Sequence, residues 1–308
     1  ACPHALGLAV PLVASISTTM AARNGLLIKQ RLSLEAARTV STVLFDKTGT
    51  LTKGAFGITA IVPATSVDKN TVLTMAASVN AHSEHPLAKA MVGSAQQQKI
   101  TLHEVKNFER VPGKGAQGFI NTEKVVVGNA VLMQDSSVTI PAEITTTTAT
   151  LAKQGKTVIF VAQGNRLVGA IALADIIREE SREAIAALKK AGIHTAMITG
   201  DSADVAAWVA SELGIDEYFA HVLPGQKAEK VKALQQKGYK VAMVGDGVND
   251  APALTQADLG IAIGAGTNVA IESAGIILVK NDPRDIPKII RLSKLTYTKM
   301  IQNLFWAT

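Results

Sequence analysis

Acidic turns that follow short apolar runs are the residues of this sequence best placed to do chemistry. Asp46 follows the run TVSTVLF and opens the turn DKTGT, and Thr199, Gly200 and Asp201 follow HTAMI. A carboxylate at a strand end, beside glycine and hydroxyl residues with free backbone amides, can attack an electrophile whose anionic oxygens those amides hold. Thr199 and its neighbours supply a hydroxyl and amides suited to a phosphoryl oxygen. For Asp46 taken alone, an ordinary Asp/Gly turn after a strand is the alternative.

Two further carboxylates follow a third apolar run. Asp246 and Asp250 flank a glycine-rich turn in GDGVNDAP, directly after KVAMV. Clustered carboxylates repel a phosphate unless a hard cation lies between them, and Mg²⁺ held by carboxylates and phosphate oxygens is the usual solution. Lys227, in LPGQKAEKV, offers a point charge against the negative charge that develops on a phosphoryl group.

The elements around these turns predict an α/β fold. From residue 39 onward, apolar β-branched runs alternate with helical patterns that stop at Gly192, Gly214 and Gly238. Such alternation indicates a parallel sheet covered on both faces, whose ligand sites lie at the carboxyl ends of the strands. The acidic turns are therefore expected to converge on one edge. We assign 23–53 and 169–290 to this domain, and 54–168, where short glycine-punctuated strands appear, to an antiparallel α+β insertion.

Both ends of the chain are apolar and are predicted to belong to membrane-spanning segments. The stretch from Ala5 to Ala22 carries no charge, as does Met300 to Thr308, and a span needs about 20 apolar residues. We assign 1–22 to a partial transmembrane helix and 291–308 to a juxtamembrane segment and the start of the next span. Lys and Arg are in excess beside both stretches, which predicts a cytoplasmic central part. A core helix and a docked helix are the alternative.

Composition excludes several classes of protein. The net charge of +6 is small for a dedicated nucleic-acid binder, and an aromatic content of 4% argues against a base-stacking surface. The single cysteine, Cys2, excludes an intramolecular disulfide and a four-cysteine zinc site. With 47% hydrophobic residues the chain has ample material for a core, so it is not intrinsically disordered.

The strings DKTGT, TGD, PGQK and GDGVNDAPAL, in this order and with an insertion after the first, resemble the phosphorylation domain of P-type ATPases, which belong to the haloacid dehalogenase superfamily. The resemblance covers essentially the whole chain. It implies a haloacid dehalogenase-like parallel-sheet phosphorylation domain with an inserted nucleotide-binding domain. It also implies that ATP phosphorylates Asp46, that Asp250 and Thr199 support this reaction, and that Lys227 lies on the phosphoryl group. The implied Mg²⁺ ligands are Asp46, Thr48 and Asp246, and the implied nucleotide contacts nearby are Thr48, Gly200 and Asp201.

One position departs from the hydrolases of that superfamily, which usually carry a second Asp two residues after the nucleophile as general acid/base. Thr48 occupies this position here. Without a built-in base, an aspartyl phosphate should persist, as suits a protein that changes shape before hydrolysis. In the family a TGE loop on a separate actuator domain drives dephosphorylation, and this sequence contains no TGE. The chain is expected to form a phosphoenzyme without turning it over efficiently.

The insertion resembles the nucleotide-binding domain of the heavy-metal-transporting branch. The resemblance implies ATP contacts at Glu84 and His85 in SEHPLA, at Gly113 and Gly115 in GKG, and at Gly128 and Asn129. A helix-initiating polar residue before a proline is the alternative for the histidine. The string GKGAQG also matches the dinucleotide fingerprint, but it runs into a hairpin-like pattern instead of a helix, so we reject that interpretation. The sequence contains no P-loop motif.

Cys2-Pro3-His4 opens the expected membrane helix. Thiolate and imidazole suit Cu or Zn, and an ionisable pair inside a span is by default a functional-site hypothesis. The tripeptide resembles the CPH signature of copper pumps of the CopB type, which implies that Cys2 and His4 bind the transported metal. The implied function is ATP-driven copper export across a membrane, with transmembrane helices and an actuator domain of the same protein as partners. Pumps for silver or zinc, a soluble phosphatase of the superfamily and a non-catalytic nucleotide sensor are the alternatives.

Overall fold

The computed structural model describes residues 3–246, 249–264 and 268–306, and its contacts divide the chain into two compact units. The outer unit runs up to Lys53 and resumes at Ile177, and the inserted unit is Gly54–Ile176. The sequence analysis puts the second boundary at 168/169. The two positions differ because the last strand of the inserted unit, Arg166–Ile177, continues without a break through that point.

The strands in chain order are β1 (Leu26–Ile28), β2 (Thr42–Asp46), β3 (Thr52–Pro63), β4 (Val105–Val111), β5 (Gly115–Ile120), β6 (Glu123–Gly128), β7 (Thr157–Gln163), β8 (Arg166–Ile177), β9 (His194–Ile198), β10 (Glu217–Phe219), β11 (Val241–Gly245), β12 (Leu259–Ile263) and β13 (Ile276–Leu278). The helices are α1 (Pro3–Arg23), α2 (Arg31–Ala37), α3 (Lys69–Val79), α4 (Pro86–Gln97), α5 (Ala130–Asp135), α6 (Ala142–Lys153), α7 (Glu179–Lys190), α8 (Ala203–Leu213), α9 (Lys227–Gln236), α10 (Ala251–Gln256), α11 (Asn268–Ser273) and α12 (Asp285–Trp306).

The described residues of the outer unit form a seven-stranded sheet in the order β1-β13-β12-β11-β2-β9-β10. Its neighbouring strands are parallel, except that β1 runs antiparallel to β13. This arrangement confirms the parallel α/β sheet that the sequence predicts. Strand β2 lies between β9 and β11, so the residues that follow these three strands leave the sheet at the same edge.

Alternate residues of β2 face opposite layers of helices. Val43 and Phe45 lie in one apolar cluster with residues of α7, α8 and α12, while Leu44 lies in a second cluster with residues of α9 and α10. All three side chains are fully buried. A slip of one residue would exchange the two faces, so packing fixes the register of β2. The position of Asp46 at its end is fixed with it.

Helix α8 shows why the predicted glycine stops hold. Ser202 caps its first turn by accepting a hydrogen bond from the backbone N–H of Val205 (3.4 Å), and Gly214 ends it with φ +69°, in the left-handed region. Gly192 and Gly238 likewise have positive φ after α7 and α9. Glycine adopts this conformation without the steric cost that a Cβ would bring.

The carboxylate of Asp216 connects β9 with the end of α7. Asp216 Oδ2 accepts hydrogen bonds from the backbone N–H (2.9 Å) and Oγ1 (2.8 Å) of Thr195, and its Oδ1 pairs with Lys189 Nζ at 2.8 Å. Burial acts to raise the pKa of Asp216, but these hydrogen bonds and the lysine charge outweigh it and hold the pKa at about 2. The carboxylate therefore stabilises the join between β9 and the segment after α8 in its ionised form.

The inserted unit is built on a six-stranded sheet in the order β3-β8-β7-β6-β5-β4, and β4 to β8 pair antiparallel along it. Helices α3 and α4 pack on one set of its apolar side chains and α5 and α6 on another. The string GKGAQG enters β5, which pairs antiparallel with β6. The rejection of a dinucleotide-binding turn is therefore confirmed.

The ends of the described chain are helical. Helices α1 and α12 pack together, and the buried Thr296 Oγ1 donates a hydrogen bond to Ser17 Oγ at 2.8 Å. Within the described residues, no helix has both the length and the apolar character needed to cross a bilayer. The membrane-spanning segments expected at 1–22 and within 291–308 are thus not seen in this part of the chain. Helix α12 is too polar to cross a bilayer because it is amphipathic and carries Lys288, Arg291 and Lys294.

Candidate active site

The carboxyl ends of β2, β9 and β11 bring the acidic turns together, as expected from the sheet. Asp46 is the last residue of β2 and lies beside Ile198 at the end of β9, so Thr199 follows directly alongside it. On the other side, Phe45 pairs with Val244 of β11, and Asp246 follows that strand.

Lys227, at the start of α9, joins two carboxylates. Its Nζ donates to Asp46 Oδ1 at 2.7 Å and to Asp250 Oδ1 at 2.6 Å. The side chains are 8%, 9% and 1% exposed, in the order Lys227, Asp46, Asp250, so both ion pairs are shielded from water. The sequence singles out all three residues but does not show that the lysine bridges the two acids.

Burial and crowding shape the charge of this cluster. Burial, then the neighbouring Asp250 carboxylate, raise the pKa of Asp46 from 3.8 to about 7, against the opposing effect of Lys227. Burial acts to lower the pKa of Lys227, but the two carboxylates outweigh it and raise that pKa. The lysine therefore stays charged, and Asp46 is a carboxylate of higher basicity than an exposed Asp. A more basic carboxylate is a stronger nucleophile near neutral pH.

The turn after Asp46 has a left-handed residue, a conformation that glycine adopts most readily. Gly49 has φ +75°, and a Cβ at this position would lie 3.0 Å from Asp246 Oδ2. Asp246 therefore approaches the backbone of the DKTGT turn closely. Thr48 has extended φ/ψ within the same turn, and Thr52 Oγ1 closes it by donating to Lys47 O at 3.0 Å.

Asp201 lies next to this turn and is engaged by two partners. Lys47 Nζ pairs with Asp201 Oδ2 at 3.1 Å, and Thr199 Oγ1 donates to the same oxygen at 2.9 Å. The Asp201 backbone N–H in turn donates to Thr199 Oγ1 at 3.2 Å. The TGD loop is thus attached to the turn that follows Asp46, and Gly200 lies between the two bonded residues.

Sequence reasoning missed Arg178, which holds the same turn from the other side. Its Nε donates to Thr52 O at 2.9 Å and its Nη2 to Gly49 O at 3.2 Å, while its backbone N–H donates to Leu51 O. Ser181 Oγ also donates to Leu51 O, at 3.0 Å. The available signal was a basic residue between the end of β8 and the acidic first turn of α7.

The oxygen ligands of the cluster fit a hard divalent cation. Asp250 Oδ2 is buried without a hydrogen-bond partner, packed against Gly245, and Asp246 and Asp46 lie close by. In the described ranges no three His, Cys, Asp or Glu side chains form a complete metal site. Mg²⁺ typically takes only one or two carboxylates and completes its shell with water and phosphate oxygens, so this partial set suits it.

A cavity of about 290 Å³ lies within the inserted unit. It brings together His85, Gly113, Gly115, Gly128 and Asn129, all of which the sequence analysis selects. It does not bring in Glu84, whose side chain is 90% exposed and pairs with Lys89 at 2.5 Å.

The cavity floor depends on two glycines that face each other. Gly115 of β5 pairs with Gly128 of β6, and a Cβ on either would collide with backbone of the opposite strand or with Leu132. Asn129 Oδ1 caps α5 by accepting from the backbone N–H of Leu132 (3.0 Å), and its Nδ2 donates to Gly113 O at 3.1 Å. The shape of the cavity therefore depends on the absence of a side chain at both glycines and on the start of α5.

His85 serves α4 and the cavity at once. Its Nδ1 accepts from the backbone N–H of Leu87 at 3.3 Å, as the N-cap of the helix that Pro86 opens. His85 therefore initiates α4, as the alternative interpretation of the sequence holds. Its ring also lines the cavity. With Nδ1 as acceptor, a neutral imidazole carries its proton on Nε2, which leaves that atom as a hydrogen-bond donor.

Comparison with known proteins decides the family. The model of the haloacid dehalogenase-like hydrolases matches residues 40–258. The chain belongs to the haloacid dehalogenase-like hydrolase family. It is 53% identical over 307 residues to a copper-exporting P-type ATPase B of Archaeoglobus fulgidus, covering 100% of this chain and 44% of that protein. It is 44% identical to a copper-exporting P-type ATPase of Staphylococcus aureus, covering 38% of that protein. The chain thus spans about two fifths of the length of these curated relatives.

Two solved structures resemble this haloacid dehalogenase-like chain along most of its length. A zinc-transporting PIB-type ATPase in the E2.Pi state aligns with a TM-score of 0.90 at 37% identity, covering 98% of this chain and 49% of that one. The catalytic domain of the CPx-ATPase CopB-B aligns with a TM-score of 0.64 at 31% identity, covering 90% of this chain and 98% of that one. The similarity to heavy-metal P-type ATPases predicted from the sequence motifs is confirmed.

Proposed function

We propose that this chain is the catalytic part of a membrane-bound, copper-exporting P-type ATPase that is phosphorylated by ATP on Asp46. The observation that carries the proposal is the buried Asp46 at the end of β2, bridged to Asp250 by Lys227, with Thr48 where the hydrolases of the superfamily usually carry a second Asp. The cavity of the inserted unit supports ATP as the phosphoryl donor.

In this proposal an Asp46 carboxylate oxygen attacks the γ-phosphorus, the bond from that phosphorus to the bridging oxygen breaks, and ADP leaves with the electron pair. Lys227 offsets charge on the transferred group and on Asp46. Thr199 Oγ1 and the backbone amide of Gly200 are the proposed hydrogen-bond donors for the phosphoryl oxygens, and the Thr199 hydroxyl would have to turn away from Asp201 Oδ2 to donate there. Mg²⁺ would be held by Asp46, Thr48 and Asp246 with Asp250 in support, and it would neutralise part of the negative charge.

The aspartyl phosphate is expected to be long-lived because Thr48 cannot deprotonate a water. Hydrolysis then needs the actuator domain that we propose for the remainder of the polypeptide, together with further transmembrane helices. We place the protein in the membrane with the described units on the cytoplasmic side.

Copper is the proposed cargo because thiolate and imidazole suit soft and borderline ions and because the curated relatives at 53% and 44% identity carry copper in their names. The proposed cargo ligands are Cys2, which lies outside the described residues, and His4, in the first turns of α1. Zinc is the second candidate, since the structure with a TM-score of 0.90 is a zinc-transporting PIB-type ATPase.

The test of the chemistry is acid-stable labelling with γ-³²P-ATP and Mg²⁺. Asp46→Asn is expected to abolish labelling while nucleotide binding is retained, and Asp204→Asn, an exposed carboxylate on α8, is the matched control that keeps it. Undiminished labelling of Asp46→Asn contradicts the nucleophile assignment. Rapid hydrolysis of small phosphate esters by the unaltered chain would favour a phosphatase instead.

The test of the cargo is the ATPase activity of the full-length protein with Cu⁺, Ag⁺, Cu²⁺, Zn²⁺ and Co²⁺. Stimulation by copper that is lost in Cys2→Ser supports the proposal. Stimulation by Zn²⁺ or Co²⁺ alone overturns copper as the cargo and leaves the pump intact.

A further inference from the structure

The cavity of the inserted unit has an unbalanced positive charge. Its lining includes two basic side chains, Arg110 and Lys114, and contains no Asp or Glu. The remaining lining is largely apolar or glycine, so a cation at its rim acts in surroundings with few competing charges.

The two basic side chains differ in whether an acidic side chain pairs with them. Lys114 Nζ pairs with Asp135 Oδ2 at 2.6 Å. Among the described residues, the Arg110 side chain makes no ion pair and no hydrogen bond. Glu109, its neighbour in the chain, is held away by Gln117 Nε2 at 2.7 Å.

The strand geometry keeps Arg110 at the cavity. Arg110 lies on β4 directly opposite Ala116 of β5, one residue before Val111, at the start of the turn that carries Gly113 and Gly115. The residue opposite is small, and the exposed Arg110 is one of the residues that line the cavity.

We propose that Arg110 determines the preference of this cavity for nucleotides over nucleosides by binding the polyphosphate of the nucleotide. A guanidinium carries its five donors in a planar fork that matches pairs of phosphate oxygens, and charge-assisted hydrogen bonds of this kind are about twice as strong as neutral ones. The apolar lining and the facing glycines take the rest of the ligand. This inference rests on the proposed function, since it assumes that the cavity binds ATP.

The test is isothermal titration calorimetry of the full 308-residue chain with ATP, ADP and adenosine in buffer with EDTA, which prevents turnover. Arg110→Gln is expected to weaken ATP and ADP binding about three- to tenfold and to change adenosine binding by less than about 1.5-fold. Arg110→Lys should recover part of the loss, because it restores the charge without the fork. Lys106→Gln, a loss of charge on the same strand outside the cavity, is the matched control and should bind all three ligands like the unaltered chain.

The outcomes separate this inference from the function on which it rests. If the unaltered chain binds none of the three ligands, the cavity is not a nucleotide site and both fail. If it binds ATP no better than adenosine, or if Arg110→Gln leaves ATP binding unchanged, only the role of Arg110 is overturned. An equal loss for adenosine and ATP also overturns it, because it would show that Arg110 supports the shape of the cavity rather than the phosphates.

Discussion

Replacing the proposed nucleophile should make the protein more stable, not less. The pKa of Asp46 is raised from 3.8 to about 7, chiefly by burial. A group whose folded-state pKa lies above its unfolded value binds its proton more tightly in the folded state. Its contribution therefore falls as pH rises from about 4 to about 7 and then stays constant. Asp46→Asn keeps the shape of the side chain and removes the charge, so it relieves this penalty.

The size of the effect follows from the shift. About three pKa units, at about 1.4 kcal/mol each, set an upper limit of roughly 4 kcal/mol at pH 8. Part of this is lost because an amide is a weaker acceptor for Lys227 than a carboxylate and its NH₂ needs an acceptor of its own. We expect Asp46→Asn to raise the free energy of unfolding by about 2 kcal/mol at pH 8, with no gain at pH 4.

The assay is urea unfolding between pH 4 and pH 8 in EDTA, followed by tryptophan fluorescence. Trp208 packs against the core of the outer unit and reports on its unfolding, whereas Trp306 is 83% exposed at the end of α12 and contributes little change. Asp204→Asn, which replaces an exposed carboxylate on α8, is the control and should give only a small change. A variant no more stable than the unaltered chain at pH 8, or a difference that is constant from pH 4 to pH 8, would refute the reasoning.

Further predictions concern the same unit. Lys227→Met breaks two buried ion pairs and should lower the free energy of unfolding by about 3 kcal/mol at pH 8. The loss should be smaller when Lys227→Met is made in the Asp46→Asn background. Changes in the free energy of unfolding that add up in the double variant would contradict the coupling of the two residues. Asp216 has a folded-state pKa of about 2, below its ordinary value of 3.8, so its stabilisation is present above about pH 4 and is lost as pH falls through 2. Asp216→Asn should destabilise at pH 7, and its difference from the unaltered chain should shrink as pH falls from 4 through 2, by the same urea series. Gly49→Ala forces a side chain into a left-handed turn 3.0 Å from Asp246 Oδ2, and should cost about 1 kcal/mol and strongly reduce labelling by ATP; full labelling would mean that the turn adapts.

Much of the outer unit could be predicted because its strands are buried on both faces. The runs before Asp46, Thr199 and Gly245 are continuous and apolar, which is the pattern of parallel strands, and parallel strands share one carboxyl edge. Their convergence follows from topology rather than from any single residue.

Individual partners could not be predicted, because they depend on contacts between distant parts of the chain. Nothing local to Lys227 shows that it bridges Asp46 and Asp250, and nothing local to Arg178 shows that it binds the carbonyl groups of the DKTGT turn. For Glu84 the sequence motif predicts a nucleotide contact, but its side chain pairs with Lys89 and does not line the cavity. Whether it contributes to nucleotide binding remains a prediction.

The insertion of one unit into another also sets an order of events during synthesis. Residues 54–176 are continuous, so their sheet can complete as soon as they have left the ribosome. Strand β2 is synthesised earlier but cannot pair until β9 and β11 are synthesised, because its Thr42 pairs with His194 and Val241, which follow the insertion in the sequence. Closing so long a loop is entropically costly unless its ends are first drawn together. Adjacent strands β3 and β8 bring the two ends of the insertion side by side. Folding of the insertion therefore lowers the entropic cost of pairing the strands that precede Asp46, Thr199 and Asp246.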